Sequence, residues 1–266
     1  MSKKVGFIGC GNMGSAMVGG LIKSGFVNKE DLIISTKTES SAKRLEEELE
    51  VNITLDNREV VKASDVIFLA VKPYMYKAVI EEIKEVLSKD KLIVTIAAGV
   101  SIKDMEDWLG AGYKVIRTMP NTPALVGEAM SAICINKNVS KEELEYTCNL
   151  FKSFGEYVEL DEKDFHGFIA LCGSSPAYVF VFIEAMADAA VKLGIPRAKA
   201  YRMAAQSVLG SAKMVLDTGK HPGELKDMVC SPGGTTIEAV AELEKQGFRN
   251  AVIEALVKCA EKSKSM

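Results

Sequence analysis

Two stretches of this chain combine residue types and spacings that could do chemistry. The first is Gly9-Cys10-Gly11-Asn12-Met13-Gly14, a G-x-G-x-x-G pattern directly after the apolar run Val5-Gly6-Phe7-Ile8. The pattern alone is common. Behind a strand and in front of a helix it is the phosphate turn of a dinucleotide site. Gly9 permits the tight turn, Gly11 lets the backbone approach a pyrophosphate, and Gly14 allows close helix–strand packing. The N–H groups and positive dipole at the helix start then attract phosphate. The second stretch is Cys230-Ser231-Pro232-Gly233-Gly234-Thr235-Thr236-Ile237. Its glycines and hydroxyls run into a helix, as in a nest of N–H groups around a carboxylate or phosphate. A plain interhelix turn with a threonine cap fits the same residues.

The second strand discriminates between cofactors. An NAD site places Asp or Glu at its end, about 20 residues beyond the glycine motif, to hold the ribose 2′-hydroxyl. Here the run is Leu32-Ile33-Ile34-Ser35-Thr36-Lys37-Thr38, with hydroxyls and a lysine where the acid would stand. Thr36 can donate to a 2′-phosphate and Lys37 supplies charge. NADPH is the expected cofactor, with NADH as a second donor. Ala70-Val71-Lys72-Pro73 and Ala97-Ala98-Gly99 end the strands predicted at 65–71 and 92–98. Ligands of an open parallel sheet lie outside the carboxyl ends of its strands, so both turns should line the cleft. Pro73 keeps Lys72 extended, which makes that turn mainly a matter of shape. Asn57, between the strands predicted at 32–35 and 65–71, reads as a helix cap, an adenine-side contact, or both.

The elements that must position these residues follow from periodicity. Strands are predicted at 5–9, 32–35, 65–71, 92–98, 114–119, 130–136 and 157–160. Helices are predicted at 13–24, 39–50, 74–87, 101–109 and 140–153, with Ser101 as a cap and Ser140/Glu143 as a capping box. Six consecutive apolar residues, 66–71, mark a central strand buried on both faces. The alternation implies an α/β fold, a Rossmann-like doubly wound sheet over residues 1–160. Two prolines three apart make 117–127 a fixed irregular loop. Beyond 160 only helical segments remain, punctuated by Pro176, Gly194, Pro196, Gly219, Pro222, Gly233, Gly234 and Gly247. Pro176 and Pro196 fit first-turn positions. Residues 161–266 therefore read as an all-α domain. Its segment 176–193 is apolar on nearly all faces, which points to burial against a second copy, a homodimer.

Composition removes other classes. The chain has 266 residues, 48% apolar and 26% charged, with 33 basic and 36 acidic side chains. That balance is globular and carries no electrostatic footprint for nucleic acid. No uninterrupted apolar run approaches the ~20 residues of a membrane span, and no secretory signal is evident. Six scattered cysteines and two histidines match no metal pattern, so no metal site is expected and a reducing, cytoplasmic location is. No G-x-S-x-G elbow is present. A dinucleotide fold with a carboxylate nest points to hydride transfer with a small carboxylic acid. A protonated imine acceptor needs less help from a protein acid than a ketone does, which fits a chain with only His166 and His221.

The residues now resemble a known family. Segments 5–14, 68–73, 117–127, 173–178, 193–196 and 221–238 are similar, in order and over essentially the whole chain, to the pyrroline-5-carboxylate reductases of proline biosynthesis. The stretch 228–242 resembles the family signature. The resemblance implies reduction of 1-pyrroline-5-carboxylate to L-proline, with hydride passing from the nicotinamide to the imine carbon. It implies a cofactor site at Ile8, Gly9, Cys10, Gly11, Asn12, Met13, Thr36, Asn57, Ala70, Val71, Lys72, Pro73, Ile96, Ala97 and Ala98, to which the glycine motif and the charge at the end of the second strand add Gly14 and Lys37. It also implies a substrate site at Ser231, Gly233, Gly234, Thr235 and Thr236, with the Thr236 hydroxyl near the ring nitrogen, passing a proton or orienting the ring. Glu162 falls near the family's cofactor cleft. The family's helical domain interlocks as a dimer, often in rings of dimers.

Two positions depart from the pattern. Ser175 stands where the helix-opening motif usually has glycine, and would be strained by about 1–3 kcal/mol if that position needs positive φ. Met228 stands where some relatives carry Asn. Rival readings are a reductase of a different cyclic imine, a hydroxyacid dehydrogenase and a non-catalytic NADP-binding sensor. The hydroxyacid enzymes resemble one another in a lysine on the long interdomain helix, where this chain has only Lys192, at the far end. A sensor has no need to seat a carboxylate.

Overall fold

Short apolar runs alternating with amphipathic helices assemble here into one eight-stranded sheet, seen in a computed structural model that describes residues 3–265. The strands are β1 (Val5–Ile8), β2 (Leu32–Ser35), β3 (Asn52–Thr54), β4 (Val66–Leu69), β5 (Leu92–Thr95), β6 (Lys114–Met119), β7 (Ala129–Ile135) and β8 (Gly155–Glu159). Between them run α1 (Asn12–Ser24), α2 (Glu39–Leu49), α3 (Asn57–Ala63), α4 (Tyr76–Ile83), α5 (Ile102–Leu109) and α6 (Lys141–Lys152). The order is β3-β2-β1-β4-β5-β6-β7-β8. Through β6 all pairs are parallel. The first six strands thus have the order of a dinucleotide-binding sheet, whose switch point lies beside β1.

The sheet is not parallel throughout. β7 runs antiparallel to β6, and β8 runs parallel to β7. The β6–β7 link has no crossover helix, so the chain turns back beside the strand it has left. Within that link Thr122–Val126 forms a 3-10 turn where an irregular loop was expected. β4 and β5 end two or three residues before their predicted ends, which frees residues 70–73 and 96–98 to turn away from the sheet. The helix expected over 74–87 is shorter, because Pro73–Met75 forms a 3-10 turn ahead of α4.

β1, β4 and β5 are buried along their whole length, as their continuous apolar runs require. Phe7 and Phe68 stack across the β1–β4 pair with ring centroids 4.6 Å apart. One face packs on Met17 and Leu21 of α1 and Phe151 of α6. The other packs on Val60 of α3, Ile80 of α4 and Met105 of α5. Capping boxes at Ser101/Asp104 and Ser140/Glu143 start α5 and α6.

The remaining helices are α7 (Phe165–Phe168), α8 (Ser175–Lys192), α9 (Arg197–Thr218), α10 (Pro222–Val229), α11 (Thr235–Lys245) and α12 (Phe248–Lys264). Pro196 is the cap of α9 and not its first residue. Two compact units emerge. One reaches Gly173 and includes the tail from Ala260; the other is Ser174–Cys259. The first therefore extends past 160 by the short helical turns 162–173. In the second, Ala187, Ala200 and Ala204 are buried, while Phe180, Val181, Leu209, Leu216 and Ile253 are exposed. The helical run 162–192 is also long and apolar enough, by length and composition, to cross a membrane. The sequence expectation differed because it required an unbroken apolar run. Gly173, Ser174, Ser175, Pro176, Glu184 and Asp188 interrupt such a run without making the whole segment polar.

Candidate active site

The carboxyl ends of β1, β2, β4 and β5 lie at one edge of the parallel sheet, because these strands pair in register. Ile8, Thr36, Ala70–Pro73 and Ala97–Ala98 occupy or follow those ends. Gly9 leaves β1 at φ +82° and donates its N–H to the Ser35 carbonyl at 3.0 Å. A Cβ there would lie 2.7 Å from Val71 Cγ1 and 3.1 Å from the Ala70 carbonyl oxygen. Only glycine lets β1 turn this tightly beside the next strand's exit. Gly11 is the N-cap of α1, and no side chain caps the helix. Nothing stands within 4 Å of a Cβ built on Gly11, so the approach to the free N–H groups of Asn12 and Met13 is open. A pyrophosphate fits this cradle.

Gly14 is less constrained than its place in the motif predicts. A Cβ there would meet Ala70 Cβ at 3.5 Å, ordinary contact. The close approach of α1 to the rest of the unit falls instead on Gly20, where a Cβ would sit 2.5 Å from Phe154 Cβ. Cys10 Sγ lies 3.4 Å from Ser15 Oγ, and burial pushes its thiol pKa up.

The end of β2 is held by a partner distant in sequence. The buried Ser35 hydroxyl donates to Asn57 Oδ1 at 2.7 Å, and Asn57 Nδ2 donates to Glu82 at 2.8 Å. Asn57 does not cap α3. Asp56 does, accepting from the Arg58 N–H at 2.8 Å. The cap reading of Asn57 fails because α3 begins one residue earlier than a cap at 57 would require, so that Asn57 is already its first residue. Thr36 is buried, and its hydroxyl donates to the Thr38 carbonyl at 3.0 Å. Lys37 is exposed and makes no ion pair among the described residues. Lys72 is exposed and extended, φ −66° and ψ 147°, as the following proline demands.

Glu162 is engaged by the protein itself. Its Oε1 accepts from Arg117 Nη1 and from the Ile102 N–H, both at 2.7 Å. It thereby closes the start of α5, the helix that follows the 96–98 turn. Arg117 is buried, its guanidinium 4.6 Å from the Phe165 ring centroid, and its Nε has no partner. Sequence reasoning missed this role of Arg117. A lone arginine inside the apolar pattern of β6 was the available signal.

In the helical unit, the second stretch forms the link between α10 and α11. His221 caps α10, its Nδ1 accepting from the Gly223 N–H at 3.0 Å. Gly233 has φ +69°, and the Gly234 N–H donates to the Ser231 carbonyl at 3.0 Å. A Cβ on Gly234 would come within 2.4 Å of Ser231 Oγ. Gly234 is the N-cap of α11, and no side chain caps that helix. Neither threonine acts as a cap, so the first-turn N–H groups point outward without an internal acceptor. That geometry suits a carboxylate. Thr236 is half-buried, while Ser231, Gly233 and Thr235 are exposed.

The strain considered for Ser175 is absent. Ser175 is the first residue of α8, and Glu50 is the non-glycine residue with positive φ among those described. Ser174 does not cap α8 by a side-chain bond; its Oγ accepts from Cys259 Sγ at 3.2 Å. Met228 is exposed, 4.0 Å from Lys220 Nζ.

Comparison with known proteins decides the family. The family model described as pyrroline-5-carboxylate reductase dimerisation matches residues 162–266. The model described as NADP oxidoreductase, coenzyme F420-dependent, matches residues 4–99. A pyrroline-5-carboxylate reductase of Escherichia coli (strain K12) is 53% identical over 266 residues, covering 100% of this chain and 99% of its own. This chain belongs to the pyrroline-5-carboxylate reductase family. The Arabidopsis thaliana member is 43% identical, with 100% of this chain and 96% of its own covered. Among solved structures, the Plasmodium falciparum pyrroline carboxylate reductase with NADP bound has a TM-score of 0.90 at 36% identity, covering 99% of this chain and 97% of that one. The Coxiella burnetii reductase has a TM-score of 0.93 at 34% identity, covering 100% and 98%. The reductase fold is thus an N-terminal Rossmann-like domain with a C-terminal helical dimerisation domain.

Proposed function

We infer that this chain reduces 1-pyrroline-5-carboxylate to L-proline with NADPH. The observation that carries the reading is the 53% identity to a reductase of that name over the whole of both chains. The signature loop 231–236 and the glycine turn 9–14 both lie inside that match. NADPH, when bound, supplies the hydride. The chain's own residues bind, orient and manage the proton. Gly9, Cys10, Gly11, Asn12, Met13 and Gly14 form the diphosphate turn, with Ile8 ending the strand that leads into it. Thr36 and Lys37 face the 2′-phosphate, and Asn57 fixes the strand end that carries them. Ala70, Val71, Lys72 and Pro73, with Ala97 and Ala98, wall the sheet edge.

The substrate carboxylate is held by the N–H groups that open α11, around Gly234, Thr235 and Thr236, with Ser231 and Gly233 shaping the turn. The Thr236 hydroxyl orients the ring nitrogen or passes its proton. Residues 1–160 serve the dinucleotide and 161–266 the substrate and the partner subunit. The homodimer is supported by the dimerisation model and by the exposed Phe180, Val181 and Leu216 of the helical unit; a ring of dimers is the larger assembly that light scattering would detect. A cytoplasmic enzyme is supported by its six free cysteines.

The deciding experiment follows NADPH consumption by purified protein with and without 1-pyrroline-5-carboxylate. Saturable, imine-dependent oxidation that yields proline is the expected result. Binding of NADPH without turnover would instead favour the sensor, and turnover only with another cyclic imine would change the substrate.

Two substitutions test the site. Thr236→Ala should lower kcat/KM for the imine by about 10- to 100-fold while NADPH affinity stays within about twofold. The opposite pattern would remove Thr236 from the substrate site. Lys37→Glu should shift the NADPH-over-NADH preference about tenfold towards NADH, since a phosphate-facing cation becomes a repelling anion. An unchanged ratio of kcat/KM values would make Lys37 a solvated lysine only.

A further inference from the structure

We propose that Tyr76 is a positioning residue for the cofactor, its buried hydroxyl locking the turn after β4 to the turn after β5. The inference rests on the cofactor site proposed above and adds a residue that reaches it from behind.

Tyr76 opens α4 and is fully buried. Its hydroxyl donates to the carbonyl of Leu69, the last residue of β4, at 2.5 Å. The same oxygen accepts from the hydroxyl of Thr95, the last residue of β5, at 3.0 Å. The Ala97 N–H in turn donates to Thr95 Oγ1 at 3.4 Å. On the other side the Thr118 hydroxyl of β6 donates to the Thr95 carbonyl at 2.9 Å. One phenol thus joins the ends of two strands directly and a third through Thr95.

The donor count is consistent. A phenol has one proton, which goes to Leu69, and lone pairs left to receive Thr95. Burial pushes the Tyr76 pKa up to about 12, so the proton stays in place through the neutral range. A buried polar network of this kind fixes one arrangement of its backbone partners. Those partners are the exits to Ala70–Pro73 and Ala97–Ala98, the two walls of the cofactor edge. The aromatic ring alone fills the core among Ile8, Leu69 and Ile80. Phenylalanine would fill it as well, so the hydroxyl serves the strand ends.

The test measures NADPH dissociation constants by fluorescence titration of the full chain, beside both KM values and the melting temperature. Tyr76→Phe should weaken NADPH about three- to tenfold, the effect of one lost buried hydrogen bond, with KM for the imine at saturating NADPH within about twofold. Thr95→Val should do the same and Thr95→Ser should stay near wild type. The double variant Tyr76→Phe/Thr95→Val should be no weaker than about the worse single, because both break one chain. A lower melting temperature with unchanged NADPH affinity in Tyr76→Phe and Thr95→Val would make the network merely structural and overturn the proposal. If Tyr76→Phe fails to fold, the contrast between Thr95→Ser and Thr95→Val decides alone. Wild-type protein that bound no NADPH would overturn the cofactor reading and this inference together; tight wild-type binding with insensitive variants overturns only this one.

Discussion

Gly9→Val is expected to weaken NADPH binding by about 100-fold, or about 2.7 kcal/mol. Gly9 holds φ +82°, a region closed to a β-branched residue. The new Cβ would stand 2.7 Å from Val71 Cγ1 and 3.1 Å from the Ala70 carbonyl oxygen. The valine side chain can turn away, but the carbonyl belongs to the sheet edge and cannot. The turn between β1 and α1 must therefore move, and with it the uncapped N–H groups of α1 proposed above to hold the diphosphate. The sheet itself does not depend on this turn, so circular dichroism should remain close to wild type. Fluorescence titration checks the affinity. Wild-type affinity in a folded Gly9→Val protein would mean the diphosphate does not sit at this turn.

The second large effect is on stability. Glu162→Ala should destabilise the chain by about 2–3 kcal/mol, read as a lower urea midpoint at fixed protein concentration with an unchanged slope. Arg117 is 6% exposed and Glu162 34% exposed, so removal of the carboxylate leaves a guanidinium nearly buried and unpaired. The partial exposure of Glu162 keeps the loss at or below the bottom of the range for breaking a buried pair. The same carboxylate oxygen also accepts the Ile102 N–H, which would lose its acceptor at the start of α5. Glu162→Gln retains that acceptor and gives up only the charge, so it should cost roughly half as much. Equal losses in the two variants would locate the contribution in the ion pair; no loss in either would mean that water replaces both partners.

Much of the fold is legible in local patterns. The run 66–71 implies a strand buried on both faces, and β4 is one, though the strand ends at Leu69. Ser101 and Ser140 start helices because each side chain satisfies a backbone N–H within its own first turn. The reversal of β7 was not legible. A loop rich in proline does not reveal whether the next strand runs back or crosses over. The long helical run from 162 escaped a reading based on unbroken apolar stretches. Asn57 illustrates the limit within the site. Its neighbour Asp56 is an equally good cap by composition, and only the meeting of β2, α3 and α4 gives Asn57 to Ser35 and Glu82.

The sequence by itself determined the class of the fold, the glycine turn, the hydroxyl-rich loop and the family to which they belong. Each depends on residues adjacent in the chain, where spacing alone sets backbone geometry and the order of motifs carries the resemblance. Only the tertiary structure decided which side chains support those motifs. Gly20 rather than Gly14 takes the tight contact, Glu162 answers Arg117 across 45 residues, and Tyr76 ties Leu69 to Thr95. The physical reason is that a buried polar group or a close backbone approach is fixed by whichever distant segment arrives beside it. Folding brings those segments together, and nothing in the local pattern announces the pairing.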